Sequence, residues 1–149
     1  MTVPYKPVTL DALGEPAART GTVVLAKFVG EGWVDNSTAT VQLPVPYSKA
    51  LLVRAAVYAT TIPIDADGTC TFQLIKREGA GDSDDTVSAA IDYEGATAKE
   101  MQDIPLSGTL TDRTFLNIDI FEVDLVNDSV AIDTDAVGLV FILEFVLTE

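Results

Sequence analysis

Apolar residues occupy every second position in several short stretches of this chain. The clearest is residues 38–43, and the same alternation recurs over residues 69–76 and 86–93. A period of two is typical of a β-strand with one buried face and one face in water. The predicted buried sets are Ala39, Val41 and Leu43; Cys70, Phe72 and Leu74; and Val87, Ala89, Ile91 and Tyr93.

Three other stretches are apolar at nearly every position: residues 22–28, 50–59 and 136–147. Strands that are covered on both faces have this composition. These stretches are therefore candidates for the centre of a sheet.

The chain ends in VGLVFILEFVLTE, whose two strand faces are both apolar. Its uncharged run, residues 136–143, is less than half of the roughly 20 residues that a membrane-spanning helix needs. One face is predicted to fill the core: Val137, Leu139, Phe141, Leu143, Phe145 and Leu147. The other, Val140, Ile142 and Val146 around Glu144, must be covered by an arm, a loop or another subunit, and its three apolar residues are the candidate oligomer interface.

Two local signals interrupt the strand pattern. In TFLNIDIFEVDLV the apolar positions change from even to odd numbers, so two separate elements with a break near residues 119–121 are predicted. In EGATAKEMQDIP, Thr97 and Glu100 have the spacing of a capping box, and Pro105 limits extension. This spacing predicts a short helix over residues 97–102.

Turn residues separate the predicted strands. IPIDADGTC is expected to form a tight connection from Thr60 to Thr69, with Gly68 at a positive φ. Residues 1–19 contain three prolines and fit neither strand nor helix, so we expect an N-terminal arm followed by one β domain over residues 20–149. About eight strands with turns at this spacing indicate an all-β sandwich or barrel.

The charge of the chain is strongly negative and unevenly distributed. The net charge is −14, yet residues 1–60 contain four acids and five bases and sum to +1, which leaves −15 for residues 61–149. Binding to nucleic acid or to an anionic membrane needs clustered Lys and Arg. We therefore expect neither a nucleic-acid partner nor a membrane partner.

The residue types that usually carry catalysis are scarce. Histidine is absent and Cys70 is the single cysteine, which removes the Ser-His and Cys-His nucleophile pairs, thiolate metal clusters and internal disulfides. A pair of carboxylates remains formally open, but with 23 acids such a pair has almost no specificity. The sequence predicts no enzyme, no catalytic residue and no cofactor.

Three acidic clusters have ligands suited to a cation: Asp65-Ala66-Asp67-Gly68, residues 81–85 and residues 133–135. The first resembles the opening of a calcium loop, but it lacks the later ligands, since Thr69 and Cys70 begin a strand. Acidic runs flanked by Gly and Ser are usually solvated loop tips. We therefore predict turns here and no metal site.

Exposed aromatic rings could form a sugar-binding platform, which many β-sandwich modules use. Tyr58 and Tyr93 lie in strand patterns and are expected to be packed, whereas Trp33 and Tyr47 lie in predicted loops. A carbohydrate-binding module on a virion or cell surface is therefore the alternative function, and it needs exposed rings around Trp33.

The succession IDADGTCTFQLIKREGAGDSDDTVSAAIDYEGATAKE, LSGTLTDRTF, VNDS and VGLVFILEFVLTE resembles the small jelly-roll proteins of tailed bacteriophages, the head decoration or cement proteins and head-fibre components. Together with the strands, short helix and N-terminal arm predicted above, the resemblance favours an all-β, jelly-roll-like β-sandwich of about eight strands with one short helix and an extended N-terminal arm. It also implies a non-enzymatic virion protein on the outer capsid surface that binds across major capsid protein subunits, often as a homo-oligomeric trimer.

The arm gives this expected partner a route of attachment. An extended segment can add a strand to an open sheet edge of a neighbouring protein. The candidate capsid-binding residues are Val3, Pro4, Tyr5, Lys6 and Pro7.

Overall fold

The structure, a computed structural model, describes residues 21–29, 32–79 and 83–148. In chain order the elements are β1 Gly21–Val29, β2 Ser37–Pro44, β3 Lys49–Tyr58, β4 Cys70–Arg77, β5 Asp85–Thr86, β6 Ile91–Asp92, β7 Gln102–Asp103, α1 Leu110–Arg113, β8 Thr114–Leu116, β9 Ile120–Asn127 and β10 Leu139–Leu147. The predicted all-β class is confirmed.

Two antiparallel five-stranded sheets form a sandwich. The first sheet has the order β1-β10-β3-β7, with β8 also paired to β3; the second has the order β2-β9-β4-β5, with β6 also paired to β4. If β5 with β6, and β7 with β8, each take one strand position, this is the eight-strand order of a jelly roll. The sandwich predicted from the sequence is therefore present, and β10 lies inside the first sheet, between β1 and β3.

The core lies between the sheets and is rich in aromatic rings. Phe72 of β4 meets Phe141 of β10 edge to face, with ring centroids 5.3 Å apart. Phe115 and Phe145 make a second such contact at 5.6 Å. Edge-to-face pairs add to the stability that burial alone provides. The first contact joins central strands of the two sheets, whereas the second lies within the first sheet, between β8 and β10.

Most of the period-two predictions are confirmed. In β4, Cys70, Phe72 and Leu74 are buried, whereas the intervening residues are half-buried. The change of phase predicted near residues 119–121 is a break between β8 and β9. There the Asp119 carboxylate accepts a hydrogen bond from the Leu116 N–H, which closes the turn.

The predictions for the centre of a sheet were right for β3 and β10 and wrong for β1. β1 pairs only with β10 among the described strands, so it is an edge strand. Val137, predicted in the core, is 54% exposed because the chain turns at Gly138, whose φ is +64°, before β10 begins.

The predicted helix over residues 97–102 is wrong. This segment forms turns, and the N–H of Lys99, at φ +65°, donates to the carbonyl of Ala59 in place of a helical bond. The helix of the described chain is α1, a single turn before β8. A tertiary hydrogen bond therefore overrides the capping-box signal of Thr97 and Glu100.

The strand predicted over residues 86–93 is divided into β5 and β6. The Ser88 hydroxyl accepts the N–H of Leu74, and the Ser88 N–H donates to the Leu74 carbonyl. Ser88 thus bonds to both the N–H and the carbonyl of Leu74 in β4. The chain then leaves the sheet at Ala89, which is exposed. Val87 and Tyr93 are buried as predicted.

The connection between β3 and β4 crosses from one sheet to the other. Gly68 was predicted to adopt a positive φ, and this is wrong, since the positive-φ glycines of the described chain are Gly21 and Gly138. Gly68 is instead required by close approach: a Cβ there would lie 2.6 Å from Asp128 Oδ1 and from Ser129 Cβ.

Replacing Gly138 with alanine is expected to lower the free energy of unfolding by about 1–2 kcal/mol, because an L side chain is strained in the left-handed region. The new Cβ would also lie 2.6 Å from Thr60 Oγ1. Urea unfolding measures the loss. Gly108→Ala is the control, since its Cβ would meet no atom within 4 Å and its φ is ordinary; equal losses in the two variants would contradict the explanation.

Candidate interaction surface

On the outer side of the first sheet, the long strands β1, β10 and β3 form four rows of three residues, one from each strand. Strand register aligns the rows as Phe28, Val140 and Tyr58; Ala26, Ile142 and Ala56; Val24, Glu144 and Arg54; and Thr22, Val146 and Leu51. We call these twelve residues the β1–β10–β3 face. Nine of the twelve are apolar or aromatic, so this side of the sandwich differs from an ordinary solvated sheet surface.

Exposure rises across this face toward β1. Val140 is 9% exposed and Ile142 and Val146 are half-buried, whereas Val24 is 60% exposed and Phe28 is 74% exposed. The structure thus brings the three predicted interface residues together in one column on β10. The two most exposed apolar side chains beside them, on β1, were not predicted as site residues.

A β-bulge places Arg54 on the face. The register of β3 against β10 shifts between Glu144 and Phe145, so Val53 and Arg54 lie together opposite one residue of β10. Without this extra residue Arg54 would share the inward side of Leu52. An arginine at the inward position of an apolar strand is the sequence signal that could have predicted the bulge.

A second arginine stabilises the bulge from below. The Leu52 carbonyl lies between the segments of β3 that pair with β8 and with β7, and it accepts a hydrogen bond from Arg113 Nη1 at 2.9 Å. Because Arg113 ends α1, the helix that the sequence did not predict supports the position of Arg54 on the face.

The face is electrically neutral, with one base and one acid. Arg54 forms an ion pair with Asp103 of β7 at 2.6 Å, and both side chains are largely exposed, so the pair contributes at most about 1 kcal/mol. Glu144 forms no ion pair with any of the residues that the structure describes. It is a half-buried carboxylate among apolar neighbours on the central strand.

The free edge of β1 is poorly suited to pairing with a strand of another molecule. Lys27, aligned with Phe141, points to the core side of this edge. An inward-pointing lysine at an edge is a known feature that discourages pairing with another strand. The flat side of the sheet is therefore the better candidate surface.

The outer surface of the second sheet is polar and internally paired. Arg77 Nε donates to Glu122 at 2.6 Å, and Gln42 Nε2 donates to the same carboxylate at 2.8 Å. Burial raises the pKa of Glu122, but these hydrogen bonds outweigh it and hold the pKa below its ordinary value. Burial and the neighbouring Glu122 raise the pKa of Asp124. The Glu122 carboxylate therefore links β9 to β4 and β2 by hydrogen bonds.

The acidic loops, too, use their carboxylates within the protein. Asp65 accepts hydrogen bonds from the Ser129 hydroxyl and from Asn127 Nδ2, and these bonds lower its pKa. The Asp133 carboxylate accepts the N–H of Ala66 at 2.8 Å. Over residues 21–29, 32–79 and 83–148 no group of three or more metal-binding side chains is placed to hold an ion.

Trp33 is not the exposed ring that a sugar platform needs. It is 4% exposed, its Nε1 donates to the Thr71 carbonyl at 2.6 Å, and its ring stacks on Tyr93 with centroids 6.1 Å apart. Trp33 lies in a loop before β2, as predicted, but its ring packs inward and is not exposed. Tyr47 is half-buried and packs against the core.

The five candidate capsid-binding residues, Val3, Pro4, Tyr5, Lys6 and Pro7, lie outside the described residues. No helix in the described part of the chain has the length and apolar character to span a membrane. No protein-family model, curated protein or solved structure matches this chain.

Proposed function

We propose that this chain is a non-enzymatic structural protein of a bacteriophage virion. It decorates the outer capsid surface and stabilises the capsid by binding across major capsid protein subunits. The observation that carries the proposal is a neutral, apolar sheet face on a jelly roll whose net charge is −14. Phe28 and Val24 are the strongly exposed large apolar side chains of this face, and such side chains on a charged domain favour a protein that functions in an assembly.

The proposed protein has two contact regions. Residues 3–7 attach it to the major capsid protein, and Val140, Ile142 and Val146 lie at the interface of a homo-oligomer, for which the resemblance favours a trimer. The burial of Trp33 removes the feature on which the carbohydrate-binding alternative depended.

Deleting residues 1–15 is expected to abolish retention on capsids assembled from the cognate major capsid protein, while the sandwich stays folded. Co-sedimentation with empty capsids measures occupancy, and circular dichroism checks the fold. A full-length protein that fails to bind capsids saturably would contradict the proposed function. Wild-type occupancy by the truncated protein would refute the role of residues 3–7 alone.

A further inference from the structure

We propose that the β1–β10–β3 face packs against another copy of this chain, and that Arg54 of each copy pairs with Glu144 of its neighbour. This inference deepens the proposed function and rests on its homo-oligomer; it does not depend on capsid binding. It assigns the partner of the face and adds Arg54, Glu144 and Phe28 to the predicted interface residues.

Charge identifies the surface on which two copies can meet. Each copy carries −14, so most approaches between copies are repulsive. On this side of the sheet the bases Arg54 and Lys49 balance the acids Glu144 and Asp103, so it carries no net charge. The opposite sheet presents the acids Glu122 and Asp124 against the single base Arg77. The neutral side is therefore the side on which a second copy can pack without net repulsion.

Glu144 indicates which groups meet. Packing another copy on this face would remove the remaining water around the half-buried Glu144 carboxylate, which is costly unless a cation is paired with it. Within the described chain it has no such partner, and Arg54 lies opposite it on β3 but pairs with the exposed Asp103. The Arg54 guanidinium has five N–H donors and can donate hydrogen bonds to a second carboxylate. A neighbouring copy supplies that carboxylate, and its own arginine supplies the cation that Glu144 lacks.

This pairing is self-complementary, because each copy carries both halves of the contact. In a two-fold dimer the axis would run along the strands between β10 and β3, and each arginine would then lie over the partner's acid. In a ring of three copies that present this face to the axis, Arg54 of each would meet Glu144 of the next. Both arrangements bury the same face.

Phe28 is the expected apolar anchor of this interface. It is 74% exposed on β1 and lies in one row with Val140 and Tyr58. Aromatic side chains that become fully buried carry much of the energy of protein interfaces. Val24, 60% exposed, lies in the row of the two charges and would exclude water from them.

The test is the oligomeric state of purified protein in solution, measured by sedimentation and light scattering. The wild-type chain is expected to form a dimer or trimer. Arg54→Glu and Glu144→Arg are each expected to weaken association by about 10- to 100-fold, since each places like charges opposite one another. Phe28→Ser, at an exposed site that does not threaten the fold, is expected to have a similar effect.

Mixing the two charge variants provides the decisive measurement. In a 1:1 mixture the glutamate introduced in one variant faces the arginine introduced in the other, so association is expected to return. A two-fold dimer would recover fully, whereas a ring of three retains one like-charge contact and would recover in part. Two variants that had merely misfolded would not rescue each other.

Matched controls come from the exposed turn before β7. Lys99→Glu and Glu100→Arg change the net charge by the same amounts and are expected to leave association unchanged. A monomeric wild-type protein, association that survives both reversals, or a mixture that stays monomeric would each overturn the proposal. The proposal would also be overturned if the full-length protein is monomeric and only the protein without residues 1–20 associates. If the wild-type protein associates with itself but does not bind capsids, the proposed function is contradicted and this inference is not.

Discussion

Replacing Trp33 with alanine is expected to lower the free energy of unfolding by about 3–5 kcal/mol, the usual range for removing a large ring from a core. The ring is 4% exposed and stacks on Tyr93, which itself contacts Phe72. Its removal would leave a cavity beside the aromatic core and remove the hydrogen bond that Nε1 donates to the Thr71 carbonyl.

Phenylalanine at this position separates the two contributions. Trp33→Phe retains most of the ring but cannot donate to Thr71, so a loss of about 1–2 kcal/mol is expected from the missing hydrogen bond and the smaller ring. Urea unfolding followed by circular dichroism measures both variants, since Trp33 is the only tryptophan and fluorescence is lost with it. Val130→Ala, at a residue 87% exposed, is the control and should change stability by less than about 0.5 kcal/mol.

The same variants distinguish a structural tryptophan from a sugar-binding one. A ring that binds carbohydrate lies in water, so its removal would reduce glycan binding and leave stability almost unchanged. If Trp33→Ala unfolds at the same urea concentration as the wild type and loses binding on a glycan array, the inward packing of Trp33 is wrong.

The sequence predicted those parts of the fold that depend on local alternation. Phe72 and Leu74 face the core because each strand residue points opposite to its neighbour, whatever the partner strand. β10 was placed inside a sheet because both of its faces are apolar. These inferences need no knowledge of which strands are adjacent.

The errors arose where a distant group decided the local structure. The Thr97 and Glu100 spacing favours a helix, but the Ala59 carbonyl takes the N–H of Lys99 and fixes a turn. Ser88 interrupts a regular apolar alternation because its hydroxyl, rather than a backbone carbonyl, accepts the N–H of Leu74 in β4. A pattern within one segment cannot contain these contacts, since the partner lies many residues away.

The candidate surface was predicted in part. Val140, Ile142 and Val146 followed from the second apolar face of β10, but the row that links Glu144 to Arg54 depends on strand order and on a bulge. Phe28 was missed because an edge strand and a central strand can have the same composition. Register between strands, which places these residues together, is a tertiary property.

Replacing Lys76 with methionine is expected to lower the free energy of unfolding by about 3 kcal/mol, at the lower end of the range for a broken buried ion pair. The side chain is 5% exposed, and Nζ lies 2.7 Å from both the Glu78 and Asp85 carboxylates. It also donates to the carbonyls of Thr111 and Thr114, which tie α1 and β8 to β4. The loss is moderated because both carboxylates retain contact with water.

The stability difference between the wild type and the Lys76→Met variant is expected to depend on pH. The hydrogen bond from Lys76 lowers the pKa of Asp85. The contribution of this pair is therefore complete above the unfolded pKa of about 4 and is lost as the pH falls through the lower folded value. The methionine variant lacks the pair, so the stability difference between the two proteins should narrow below about pH 4.

Urea unfolding at neutral and acidic pH measures this difference, with Lys27→Met as the control. Lys27 is half-buried on β1 and forms no ion pair with a described residue, so its replacement should cost less than about 0.5 kcal/mol. In a double-mutant cycle with Asp85→Asn, a coupling above about 0.5 kcal/mol is expected at neutral pH. A constant stability difference across the pH range, with no coupling to Asp85, would show that Lys76 acts only by filling space, since an aliphatic stem packs equally well beside a neutral carboxyl.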